Sequence, residues 1–190
     1  MKKIVTFGEI MMRLSPPGYL RILQTDSYDV TYAGGEANVA ASLAQFGVDA
    51  YFVSKLPQHE VGQACKCFLQ KYGVKTEYVK MDGERLGVYY LEAGASQRAS
   101  KVIYDRKNSA IAKVKLGEFD WANIFAGAEL FHITGITPAL SDSAAAVSME
   151  AVQAAKKAGL TVSCDLNYRK NLWSPAKAGE VMAGLMPYVD

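Results

Sequence analysis

Tyr32-Ala33-Gly34-Gly35-Glu36-Ala37-Asn38-Val39-Ala40 decides how the rest of the chain is read. A strand-like run, Tyr28–Tyr32, ends in two glycines, and an amphipathic helix starts at once. Glycine has no Cβ, so the backbone at Gly34 and Gly35 can come close to a ligand. The first turn of the helix carries unpaired N–H groups, and the Asn38 amide both donates and accepts. Backbone donors beside an amide make a site for a polyhydroxyl compound or a phosphate. The same residues also make a tight strand-to-helix turn that binds nothing. Either way the local order is strand, turn, helix.

Working outward, that order repeats. Lys3–Gly8 reads as a buried strand. Glu36–Phe46 is a helix with Val39, Leu43 and Phe46 on one face, ended by Gly47. Ala50–Ser54 is a strand, and Glu60–Tyr72 a helix closed by Gly73. The rhythm returns at Glu129–Thr134 (strand), Ser141–Ala158 (helix, ended by Gly159) and Leu160–Asp165 (strand). Ser174-Pro175 opens the last helix, serine as cap and proline in the first turn. This alternation predicts an α/β fold, a parallel sheet covered by helices.

Two stretches break the pattern. After the Ser15-Pro16-Pro17-Gly18 turn, Arg21–Gln24 and Tyr28–Tyr32 read as short strands. Thr76–Met81, Gly87–Glu92 and Ser100–Arg106 are strand-like runs with no helix between them, and Gly94–Arg98 reads as a hairpin loop. Strands without crossover helices imply antiparallel pairing. The expectation is a small antiparallel β patch from about residues 13–33 and 87–106.

The bulk properties exclude several classes. The 190 residues carry 21 basic and 19 acidic side chains, a net charge of +2, and half are hydrophobic. That is a globular composition, too balanced for a nucleic-acid binder, whose positive charge clusters. No apolar run approaches a membrane span, and the apolar run after Lys2-Lys3 is too short for a signal peptide. Three cysteines, Cys65, Cys67 and Cys164, suggest reduced thiols in a cytoplasmic setting. With only His59 and His132 beside them, a four-ligand zinc site is not expected.

Ligands of open parallel sheets bind beyond the carboxyl ends of the strands. Here those ends carry Gly8-Glu9, the glycine pair, Gly135-Ile136-Thr137-Pro138, and Asp165-Leu166-Asn167-Tyr168-Arg169. Arg169 is a permanent cation with donors suited to phosphate or carboxylate. Asn167 suits a phosphate or a metal-bound water. Asp165 is either a metal or water ligand or a carboxylate bracing its loop. In the small patch, Tyr104 and Arg106 share a face, and a paired strand is expected to bring Tyr90 beside them. Tyr89 is read as a strand former only. His132, within an apolar strand, is read as a packed core histidine. There is no G-x-x-x-x-G-K-[ST] loop and no G-x-G-x-x-G, which argues against P-loop and dinucleotide chemistry.

Together Gly8-Glu9, Gly34-Gly35-x-x-Asn38-Val39-Ala40, Tyr104-Asp105-Arg106, Gly135-Ile136-Thr137-Pro138-Ala139-Leu140-Ser141 and Asp165-x-Asn167-Tyr168-Arg169 followed by Leu172-Trp173-Ser174-Pro175 carry a resemblance. The chain is similar to the N-terminal part of the ribokinase-like (PfkB) carbohydrate kinases, most specifically their 2-keto-3-deoxygluconate kinase branch. The motifs occur in family order over nearly all of residues 1–190, so the chain resembles one N-terminal sugar-kinase portion with a β lid.

The resemblance implies ATP and Mg²⁺, and transfer of a phosphoryl group to the terminal hydroxyl of a sugar acid, giving 2-keto-3-deoxygluconate 6-phosphate. It implies that Gly34, Gly35 and Asn38 hold sugar hydroxyls, and that Tyr90, Tyr104 and Arg106 are lid contacts. Asn167 and Arg169 would lie near the nucleotide phosphates, with Arg169 stabilising the transition state. No metal ligand is assigned. A homo-oligomer formed through the lid is also implied.

There are departures. Leu56-Pro57-Gln58-His59 stands where the family often has Gly-x-Asp, and Glu36 replaces a small residue after the glycine pair. The family's Gly-Ala-Gly-Asp motif, which supplies an anion hole and the general-base aspartate, is absent from these residues. The chain alone is therefore expected to be inactive. The alternatives are fructokinase or another ribokinase-like sugar kinase, and a non-catalytic sugar-binding or oligomerisation module. An NAD-dependent enzyme would share the sheet but lacks its fingerprint here.

Overall fold

The computed structural model describes residues 2–190. Nine strands and five helices follow in order: β1 Lys3–Phe7, β2 Met11–Ser15, β3 Asp29–Ala33, α1 Gly35–Gln45, β4 Asp49–Leu56, α2 Glu60–Lys71, β5 Val79–Met81, β6 Val88–Glu92, β7 Lys101–Asp105, α3 Trp121–Phe125, β8 Ala128–Thr134, α4 Asp142–Lys157, β9 Thr161–Asp165 and α5 Pro175–Leu185. Five strands form a parallel sheet in the order β5-β4-β1-β8-β9.

Both faces of this sheet are covered, because side chains alternate along each strand. Val5, Phe7, Val53, Phe131, Ile133 and Val162 point to one side, against Trp121 and Phe125 of α3, Val147 and Val152 of α4, and Leu185 of α5. Phe52 and Leu56 point to the other, against Ala37 and Ala40 of α1 and Cys65 and Leu69 of α2. The helix ends follow local chemistry. The Ser141 and Ser174 hydroxyls accept from the N–H groups of Ala144 and Lys177, capping α4 and α5. Gly159 closes α4 at φ +80°, a conformation glycine adopts without strain.

The second sheet has four strands in the order β3-β2-β6-β7. The expectation of a wholly antiparallel patch needs correction. β2–β3 and β6–β7 are antiparallel, but β2 and β6 are parallel. β2 follows β1 directly, while β6 arrives after the β4–α2–β5 excursion, so the two run the same way. Met11–Ser15, of which only residues from about 13 were expected in the patch, is a central strand of this sheet. Arg21–Gln24 is no strand: Ile22–Gln24 is a 3₁₀ turn. The Thr76–Met81 run yields the short β5, which joins the large sheet parallel to β4. A strand's partner is set by tertiary packing, not by its neighbours in sequence.

Candidate active site

The carboxyl ends of β1 and β8 meet the start of α1 at a single buried carboxylate. Glu36 is fully buried. Its Oε1 accepts from the Thr134 N–H (3.1 Å), the Thr134 hydroxyl (2.8 Å) and the Thr137 hydroxyl (2.8 Å). Its Oε2 has no hydrogen-bond partner. Loss of water pushes the Glu36 pKa up to about 7, against the opposing pull of its own backbone N–H and of these three donors. A Cβ on Gly8 would collide with this carboxylate, so the glycine after β1 makes room for it. Glu36 is thus a brace inside the fold, reaching the β8 end rather than open space.

A second buried carboxylate anchors the root of the small sheet. Glu9 follows β1 and precedes β2, and is 2% exposed. It is ion-paired with Arg106, which follows β7 directly, and accepts from the Ser109 hydroxyl at 2.9 Å. Burial raises the Glu9 pKa, while Arg106 and Ser109 oppose the rise. Gly34 lies against the Glu9 main chain, where a Cβ would strike the Glu9 carbonyl. Close backbone packing therefore accounts for this glycine without any ligand.

The cleft itself is a cavity of about 620 Å³. Tyr104, Asp105, Arg106 and Lys107 wall one side, Ala139 and Leu140 from the loop after β8 another, and Tyr168–Leu172 after β9 the third. Arg106, Lys107, Arg169 and Lys170 make four cations against one acid, Asp105, which is already paired with Arg85. The Arg106 guanidinium lies over the Tyr104 ring, 5.6 Å from its centroid. In the β9 loop, Asn167 has φ +37°, a left-handed conformation that asparagine tolerates. The Asp165 carboxylate accepts from the Asn167 N–H at 2.9 Å. Asp165 therefore braces this loop.

Of the residues expected at the site, Tyr104, Arg106 and Arg169 share the cavity wall. Gly35 and Asn167 stand together beside it: a Cβ on Gly35 would lie 3.4 Å from the Thr134 methyl and 3.7 Å from the Asn167 amide nitrogen. Asn38 is exposed in the first turn of α1 and is no part of the cavity wall. Tyr90 is a correction. It registers with Ile103, not Tyr104, and its ring packs edge-on to Tyr28 at 5.9 Å. Tyr89 is the residue opposite Tyr104, with ring centroids 5.8 Å apart. The register is one residue off the expected one, which turns each tyrosine to the other face. His132 is buried with Nδ1 3.1 Å from the Ser163 hydroxyl, and burial lowers its pKa. No group of three or more His, Cys, Asp or Glu among the described residues could hold a metal ion. No helix among them is long and apolar enough to cross a membrane.

A parallel sheet with a small sheet rooted at its carboxyl edge frames this cationic cleft. The pfkB carbohydrate kinase family model matches residues 1–190, and the chain belongs to that family. Among solved structures it is similar to 2-dehydro-3-deoxygluconokinase from Thermotoga maritima (56% identity, TM-score 0.98), covering 100% of this chain and 58% of that one. Among curated relatives it is 41% identical over 189 residues to the 2-dehydro-3-deoxygalactonokinase of Haloferax volcanii, covering 99% of this chain and 59% of the relative. It is 31% identical over 170 residues to the 2-dehydro-3-deoxygluconokinase of Bacillus subtilis, covering 89% and 52%. The chain thus spans little more than half the length of these relatives.

Proposed function

We propose that this chain is the sugar-binding portion of an ATP-dependent kinase that phosphorylates 2-keto-3-deoxygluconate, a sugar acid, at its 6-hydroxyl. The observation that carries the reading is the convergence of Tyr104, Tyr168 and three cations without an ion pair among the described residues, Lys107, Arg169 and Lys170, beside the Glu9-paired Arg106, on one cavity of about 620 Å³. A triphosphate takes up part of this charge in any ATP-dependent kinase, and the remainder suits a carboxylate-bearing sugar. Similarity to two ketodeoxygluconate kinases and a ketodeoxygalactonate kinase supports the same substrate class.

In this reading Gly34, Gly35 and Asn38, which lie off the cavity wall and are assigned on the family resemblance alone, serve the sugar hydroxyls, with Tyr104 and Arg106 on the flap formed by the small sheet. Tyr89 replaces Tyr90 as the second phenol of that face. Asn167 and Arg169 fit the phosphates of ATP, which supplies the phosphoryl group, and Mg²⁺ would enter with those phosphates. Arg169 has no acidic partner among the described residues, so its donors are free for charge that develops during transfer. The general base is assigned to an aspartate of the Gly-Ala-Gly-Asp motif, which these 190 residues lack. The chain alone is therefore inactive, and the whole enzyme is assigned to the cytoplasm. Exposed Val30 and Ile103 on the flap (52% and 42%) support association of the whole enzyme through that sheet.

Calorimetric titration with 2-keto-3-deoxygluconate and fructose tests the substrate. The acid binds and fructose binds poorly; equal or tighter fructose binding makes the protein a fructokinase instead. Normal turnover by the 190-residue chain in a coupled ATP assay would refute the assignment of the base.

A further inference from the structure

On the Tyr104 face of the small sheet, four residues stand in one row across the strands. Thr31 registers with Arg13, Arg13 with Tyr89, and Tyr89 with Tyr104. The row is continuous with the cavity, since the Tyr89 and Tyr104 rings are in contact and Arg106 lies over Tyr104. The two arginines of this face differ in charge balance. Arg106 is bonded to the buried Glu9 carboxylate, so that pair together presents little net charge. Arg13 forms no ion pair among the described residues. Its Nε, like that of Arg106, is buried without an acceptor, so the missing ion pair is what sets Arg13 apart. Its nearness to Tyr89 registers in that phenol, whose pKa burial raises and the Arg13 guanidinium pulls back. A guanidinium stays charged at any working pH, and a buried donor left unmade costs stability.

We propose that Arg13 is a specificity-determining residue: it supplies the uncompensated positive charge by which the flap selects a carboxylate-bearing sugar over a neutral one. This rests on the reading of the cleft as a sugar-acid site. Arg106, tied to Glu9, sets position on this face. Arg13 sets its charge, and the ligand's carboxylate pairs with its terminal guanidinium nitrogens. Tyr89 and Tyr104 then lie beneath the sugar, between the two guanidinium groups.

The test is calorimetric titration of the chain with 2-keto-3-deoxygluconate and with fructose, comparing wild type, Arg13→Gln and Arg13→Lys. Arg13→Gln weakens acid binding roughly 10- to 100-fold, the loss of one hydrogen bond to a charged group. Its fructose affinity stays within about twofold, since no charge is involved. Arg13→Lys keeps the charge without the fork and falls between. An unchanged acid preference in Arg13→Gln overturns the assignment of Arg13 while leaving the sugar-acid reading intact. A wild-type chain that prefers fructose, or binds neither sugar, overturns that reading and this proposal with it. Nuclear magnetic resonance on the wild type decides the matter if Arg13→Gln does not fold or fructose binds too weakly to measure. The Arg13 Nε–H signal, assigned through bonds to its backbone, shifts with the acid and not with fructose; a signal unmoved by the acid overturns the proposal.

Discussion

Glu36→Gln should flatten the dependence of stability on pH. In the unfolded chain this carboxyl has its ordinary pKa of 4.5, and in the fold about 7. Below pH 4.5 it is protonated in both states and contributes no difference. Between the two values the unfolded chain releases its proton while the fold keeps it, so stability falls as pH rises. Above pH 7 the carboxylate is charged in both states, and the full cost of burying it remains. At about 1.4 kcal/mol per pH unit, a gap of some 2.5 units makes that cost about 3 kcal/mol. The substituted glutamine offers the same Oε1 acceptor to Thr134 and Thr137 and carries no charge. Its amide nitrogen takes the place of an oxygen that already has no partner. The variant should therefore gain about 3 kcal/mol on the wild type between pH 4.5 and pH 8.5, or roughly 6–12 °C in midpoint temperature for a chain of this size. Urea denaturation of both proteins at half-unit pH steps measures this. Because Glu9 and every other titrating group is common to the two, their contributions cancel in the difference. A difference between variant and wild type that does not change with pH would refute the reasoning.

Two further outcomes follow from packing and charge. Glu9→Ala leaves the Arg106 guanidinium, 11% exposed, without its carboxylate, and should cost about 3–5 kcal/mol in urea titrations; a loss under about 1 kcal/mol would mean that the pair does not hold the root of the small sheet. Phe7→Ala removes a fully buried ring that packs against Phe119 and Trp121 at 5.5 and 5.4 Å, for about 3–5 kcal/mol by thermal unfolding.

Most of the large sheet and its helices could be read from residues close together in the chain. An apolar β-branched run such as Lys3–Phe7, or a period of 3.6 ended by a glycine as at Gly159, is a local signal. Gly34, Gly35, Asn167 and Arg169 were visible for the same reason: each sits at a strand end that the alternation marks. The small sheet was less legible. Its strands are short, and the parallel β2–β6 pair joins residues about seventy-five positions apart. Tyr89 passed as an ordinary strand former and Arg13 drew no reading of its own, because a row across four strands exists only once all four are in register.

Local sequence, then, determined that this is a helix-covered parallel sheet with glycines and cations at its carboxyl edge. Tertiary structure alone decided which tyrosine faces the cleft, since one step of register between β6 and β7 reverses every side chain. It alone decided that Arg106 is neutralised by Glu9, ninety-seven residues away, leaving Arg13 as the unpaired arginine on the Tyr104 face of the small sheet. It alone turned Glu36 from a replaced small residue into the buried link between α1 and β8. Propensity acts over a few neighbouring residues, whereas register and burial depend on parts of the chain that only folding brings together.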